Sequence, residues 1–297
     1  MSDEAWTVVR GKRRSRNKAP ACHNGHLDHQ SHSETSSEAL SSDEIAFRVE
    51  KLHDAFAETS DSVRHSDFFR RIQALISSKD LQSESELAEA ATDDEELPSS
   101  WRWDNVTQIV IFGLGSLNSH PAPRYQLALA LLLAEFLPGL KIAVEAYDPV
   151  FDAVDKAFLH RVGVKVLVEN EEGKHVAMSP TLFYLPHCDG GLCGNLLQAN
   201  AGSLGSIAIL GNSFRSYYDQ WTWKDDAAKQ QSNEDWGWGP IVDLVEHKGV
   251  IEKTVSDRDF AAISTSRPFN DTSLHLFLKP LQRRQGSDEQ ARAGGAL

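Results

Sequence analysis

The stretch Ile109-Val-Ile-Phe-Gly-Leu-Gly-Ser-Leu117 limits the choice of fold more than any other part of the chain. A run of β-branched and aromatic residues stops at Gly113-Leu-Gly115 and leads into an apolar segment from Tyr125 to Leu137. That order reads as the first strand, tight turn and first helix of an α/β unit. Ser119 is placed to cap the helix, with Pro121 or Pro123 in its first turn, where a missing N–H costs nothing. The pattern then repeats. Ile142 to Tyr147 reads as a strand ending in Asp148-Pro149, followed by a helix over 151–162 closed by Gly163. Val164 to Val168 reads as a third strand and Thr181 to Leu185 as a fourth, ending in Pro186-His187-Cys188-Asp189. A helix over Leu192 to Ala199 and a strand over Ser206 to Leu210 follow, the latter ending in Gly211-Asn212-Ser213-Phe214. Pro240 opens a helix through His247, and Leu274 to Leu278 is the last strand. The alternation predicts an α/β fold, a Rossmann-like doubly wound and mainly parallel sheet over about 100–280. Trp101 and Trp103 read as an edge segment, and the acidic, aromatic stretch 219–240 as a surface loop.

The flanks differ in composition. Ile45, Val49, Leu52 and Phe56 share one helical face, as do Phe68, Phe69, Ile72, Leu75 and Ile76. Residues 42–99 therefore read as two amphipathic helices that pack on the main domain, followed by an acidic linker over 83–96. Residues 1–41 hold too little apolar surface to offset ordering entropy and read as a disordered arm, as do 281–297 at the other end. Within the arm, Lys12, Arg13, Arg14, Arg16 and Lys18 form a basic run of the kind that serves nuclear import. His23, His26, His29 and His32 recur beside Cys22, but no apolar residue nearby would hold them in a tetrahedral set, so no metal site is assigned.

Bulk properties exclude several classes. A formal net charge of -13 gives no electrostatic basis for nucleic-acid binding by the folded domain. The most apolar segment, Leu127 to Leu137, is about half of the ~20 residues that span a bilayer and contains Glu135, so no membrane helix is expected. Three cysteines with no secretory pattern imply a reducing compartment and no disulfides.

Polar residues gather where the strands end. In an open α/β sheet the carboxyl ends share one rim, and the rim is the default ligand site. The candidate ligand-binding residues are Gly113, Gly115, Ser116, Asp148, His187, Cys188, Asn212 and Ser213. Position 118 is Asn, so the third glycine of a dinucleotide fingerprint is missing. A nucleoside-type cofactor, as in a methyltransferase, would use Gly113 and Gly115 with Asp148 on the ribose. Only His187 is suited to general-base work, and a buried His and Cys satisfied at a strand end account better for His187 and Cys188. No catalytic residue is assigned. A metal site at Cys188 and Cys193 lacks a further Cys/His pair.

Taken as an ordered set, Ile111-Phe-Gly-Leu-Gly-Ser116, Tyr147-Asp-Pro149, Pro180-Thr-Leu-Phe-Tyr-Leu-Pro-His-Cys188, Asn195-Leu-Leu-Gln-Ala-Asn200, Gly211-Asn-Ser-Phe214 and Asn270-Asp-Thr-Ser-Leu-His275 resemble the Sensitivity to Red Light Reduced proteins. The likeness looks closer to the plant members, whose opening Trp-Thr-Val-Val and basic run are similar to Trp6 to Val9 and the arm after it. The resemblance implies a regulatory protein working through protein partners. In plants that means phytochrome B red-light signalling and circadian clock input, in nucleus and cytoplasm. In animals it means clock-gene expression and regulation of haem biosynthesis. Where relatives commonly have Tyr and a polar residue before Asn-Leu-Leu, this chain has Cys193-Gly194, so a Cys193 zinc site would not be shared. The family implies a pathway without implying a reaction.

Overall fold

The computed structural model describes residues 40–78, 101–139, 141–224, 237–260 and 267–278. The sequence readings for the N-terminal arm, its basic run and His tract, the acidic linker, and the C-terminal tail lie outside these residues, apart from the arm's last two positions. Seven strands form one sheet: β1 (Gln108–Phe112), β2 (Ala143–Tyr147), β3 (Lys165–Val166), β4 (Thr181–Leu185), β5 (Ile207–Asn212), β6 (Val250–Thr254) and β7 (Thr272–Phe277). Their spatial order is β3-β2-β1-β4-β5-β7-β6. The first five pair in parallel, and β7 runs antiparallel between β5 and β6. This is a Rossmann-like α/β sheet, mainly parallel.

Burial on both faces explains why the central strands read as continuous apolar runs. Ile109 and Ile111 of β1 face one core, and Val110 and Phe112 face the other. The first core holds α1 (Ser42–Arg64), α2 (Asp67–Ser77), α3 (Ala122–Phe136) and α4 (Ala153–Arg161). The second holds α5 (Gly190–Ala199), α6 (Phe214–Thr222) and α7 (Gly239–Glu246). The amphipathic stripes of α1 and α2 pack on the first face. Phe56 meets Phe158 edge-on at 5.2 Å, and Phe68 stacks on Phe269 at 4.3 Å. Burying such side chains is worth roughly 1.5–3 kcal/mol each.

Several sequence readings change. Ser119 does not cap α3, whose cap position is Pro121 with no side-chain bond; Ser119 instead donates its N–H to the Ser116 hydroxyl, inside the turn. Trp101 and Trp103 meet edge-on at 5.3 Å within the first core, and Trp103 opens a short 3-10 turn before β1. The third strand shrinks to two residues at the edge of the sheet. The surface-loop reading fails at both described ends of 219–240: residues 219–222 continue α6, and Trp238 is buried. Its indole lies against Gly190, where an added Cβ would meet ring carbons at 3.0–3.2 Å. The strand β6 has no counterpart in the sequence reading.

Candidate functional site

The parallel strands bring their carboxyl ends to one rim, and the sequence-predicted residues meet there through direct contacts. Gly113 follows β1 with φ +69° and lies under the Cys188 thiol, so that a Cβ at this position would stand 2.4 Å from Sγ. That close approach and the left-handed backbone both require glycine. Gly115, also at positive φ, donates its N–H to Asp148 Oδ2 at 2.7 Å, and Val150 donates to Asp148 Oδ1 at 2.9 Å. Asp148 is thus placed by the end of β2 and tied back onto the glycine turn. Burial pushes its carboxyl above the usual range, and the two N–H groups oppose that rise. The Ser116 hydroxyl donates to the Ser119 hydroxyl at 3.1 Å, which commits it to the turn.

The other half of the rim is built from the ends of β4 and β5. Asn212 accepts from the His187 N–H at 3.2 Å and donates to the Cys188 carbonyl at 3.1 Å, pinning the turn after β4 to β5. The Tyr217 hydroxyl donates to the same carbonyl. Ser213 caps α6 by accepting from the Ser216 N–H at 3.0 Å, and its own N–H donates to the Asp271 carbonyl at 3.0 Å.

His187 departs from the sequence reading. It is exposed, not buried, and sits at φ +55°. Its Nε2 lies 3.1 Å from the Pro268 carbonyl, which also accepts from Gln126 Nε2 at 2.9 Å. The imidazole therefore bridges to the loop before β7. Cys188 and Cys193 are buried free thiols. Burial raises both; Cys193 is pushed up to about 12, so neither is a thiolate nucleophile near neutral pH. Among the described residues no group of three or more His, Cys, Asp or Glu side chains is placed to hold a metal ion.

Three polar residues outside the candidate ligand-binding set complete the arrangement. Asp155 is fully buried, forms a capping box with Asp152 and accepts from the Asn118 N–H at 2.9 Å. Asp271, at φ +62°, accepts from the Ser216 hydroxyl at 3.0 Å. His275 in β7 is wholly buried, its Nδ1 3.2 Å from the Ile209 carbonyl and its Nε2 accepting from the Phe214 N–H at 3.4 Å. Asp152 three residues before Asp155 carries a capping-box spacing; Asp271 and His275 lie in the Asn270 to His275 motif, which gives neither a role by its spacing. A cavity of about 750 Å³ opens beside the rim, beyond Asp148, between the end of β2, α4 and β3.

A family model described as the SRR1 domain matches residues 77–276. The chain belongs to the SRR1 domain family. Membership bears out the resemblance carried by the ordered motifs. Protein SENSITIVITY TO RED LIGHT REDUCED 1 of Arabidopsis thaliana is 36% identical over 175 residues, 57% of this chain and 58% of that protein. The SRR1-like protein of Mus musculus is 45% identical over 109 residues, 36% of this chain and 44% of its own length. The SRR1-like protein of Drosophila melanogaster is 31% identical over 191 residues, covering 62% and 59%. The matched stretch is thus less than two thirds of each relative. Among solved structures, cofactor-bound Rv0187 from MTB is similar at 15% identity and TM-score 0.37, over 77% of this chain and 90% of that one. The 23S rRNA methyltransferase ErmE is similar at 13% identity and TM-score 0.32, over 67% and 70%. No helix among the described residues is long and apolar enough to cross a membrane.

Proposed function

We propose that this SRR1-family protein is a regulator of light and circadian-clock signalling that acts through protein partners in the nucleus and cytoplasm. The name of the Arabidopsis relative supports the red-light reading. The observation that carries the regulator over the enzyme is the internal pairing of the rim. The Asp148 carboxylate, which a cofactor ribose would need, already accepts from the Gly115 and Val150 N–H groups at 2.7 and 2.9 Å. The Asn212 amide is taken at both ends by the turn after β4, and the Cys188 thiol fills the space over Gly113.

The competing reading is a nucleoside-cofactor transferase such as a methyltransferase, with Gly113, Gly115 and Asp148 around the cofactor. Thermal unfolding of the full chain with S-adenosylmethionine, NAD or haem separates the two, because a ligand at about 100 times its Kd adds about 2.7 kcal/mol to stability. The regulatory reading expects no rise in Tm with any of them. A rise with S-adenosylmethionine that disappears in Asp148→Ala would replace it with the transferase.

A further inference from the structure

The sheet ends on one side at β3, and the cavity beside the rim runs along that edge. Six consecutive residues, Gly163 to Val168, line it, with Tyr147 to Pro149 at one end. Val164 and Val166 pack with the α1–α4 core, whereas Tyr147 and Leu167 pack with the opposite one. The cavity therefore wraps around the edge instead of lying on one face. Leu167 donates its N–H to the Ala146 carbonyl at 2.9 Å. By the alternation of a strand, Val166 directs its N–H group away from the sheet, and the same alternation carried two residues past the end of β3 gives Val168 the outward direction. Among the described residues those two groups have no partner. Val168 is 92% exposed, which is high for an apolar side chain next to an open strand edge.

Among the described residues, the side chains along the groove that have no partner are basic. Lys165 is engaged by Glu145 at 2.8 Å, and Asp148 by the N–H groups of Gly115 and Val150. Lys156 and His160, one turn apart on α4, also line the groove, and among the described residues neither side chain has a hydrogen-bonding or ionic partner. Two uncommitted bases beside an open strand edge stand out in a chain of net charge -13.

We propose that this edge docks an extended acidic segment of a partner protein. The segment adds a strand to β3 through the Val166 and Val168 backbone, sets carboxylates over Lys156 and His160 on the face that Val166 shares with α4, and lays its alternate apolar side chains on the opposite face beside Tyr147 and Leu167. The proposal rests on the reading of the chain as a protein that acts through partners. A run of exposed backbone favours an extended peptide over a small molecule, since main-chain bonding supplies affinity that a compact ligand would not use.

The test is fluorescence anisotropy of the full chain with a labelled Glu-Val-Glu-Thr-Glu-Val-Glu peptide and its Lys-for-Glu counterpart. The acidic peptide is expected to bind at least about tenfold more tightly at low salt, and Lys156→Glu to abolish that preference. Val168→Pro removes one outward N–H at an exposed position and is expected to weaken binding about tenfold with Tm unchanged. Bound acidic peptide should also slow amide exchange at Val166. Equal binding of both peptides, or binding untouched by Val168→Pro, overturns the edge site. Failure of the acidic peptide also overturns it. Together with an Asp148-dependent rise in Tm by S-adenosylmethionine, that failure would remove the partner reading as well.

Discussion

His275 gives the sharpest quantitative prediction. The ring is wholly buried in β7, stacked 3.9 Å from Phe214, with Nδ1 donating to the Ile209 carbonyl and Nε2 accepting from the Phe214 N–H. A second proton would convert Nε2 from acceptor to donor and leave that N–H, at the start of α6, facing a cation. Burial holds the imidazole down at about 4; Glu252, 3.8 Å away, and the Ile209 carbonyl oppose the fall without cancelling it. The unfolded chain takes up this proton near pH 6.5. A depressed folded value means that the neutral ring's stabilisation is complete above pH 6.5 and is lost as pH falls from there to about 4. At about 1.4 kcal/mol per unit, the loss is about 3 kcal/mol. Asp148, Asp155 and Asp271 are raised by burial and act in the opposite direction, so the comparison must be with a variant. Urea unfolding followed by tryptophan fluorescence at pH 7, 6, 5 and 4 is expected to show wild type losing about 3 kcal/mol more than His275→Gln over that range. Parallel pH profiles for the two proteins would refute the argument.

The rim supplies a matched pair. Gly113→Ala forces a Cβ into the Cys188 thiol at a positive φ, whereas Gly163→Ala has positive φ and nothing within 4 Å. Denaturant melts are expected to show a loss of about 1–2 kcal/mol at Gly163 and at least about 1 kcal/mol more at Gly113; equal losses would mean that the thiol does not press on the turn. Cys193, pushed up to about 12 by burial, is expected to resist iodoacetamide at pH 8 in the folded protein and to react in urea, with mass spectrometry as the readout. Rapid labelling of native protein would contradict that. Replacing both Arg13 and Arg14 by Ala is expected to keep a tagged protein out of the nucleus, and unchanged entry by microscopy would end the import reading.

How much of this was legible depended on how each segment is buried. Strands β1, β4 and β5 are covered on both faces, so their apolar runs announce them, and the stripes of α1 and α2 follow from one-sided burial. Strand β6 is half-exposed throughout, and Val-Ile-Glu-Lys-Thr carries neither a continuous run nor alternation. Strand β3 was overextended because Val164 to Val168 reads as fully buried, whereas Val168 stands in solvent at the sheet's edge. The order of the rim clusters was legible from the parallel topology, but their mutual pairing was not. Nothing local to Asp148 says that its carboxylate turns back to Gly115, and nothing near His187 says that its backbone is left-handed and its ring exposed. Trp238 was missed because its partner, Gly190, is a contact at long range whose sole sequence trace is the absence of a side chain.

Native mass spectrometry of the full-length chain, purified without added ligand and then incubated with millimolar S-adenosylmethionine, puts the central claim to its most direct trial. A rim whose groups are already satisfied by one another should yield the mass of the polypeptide alone before and after incubation. A stoichiometric adduct of S-adenosylmethionine that is lost in Asp148→Ala would contradict it.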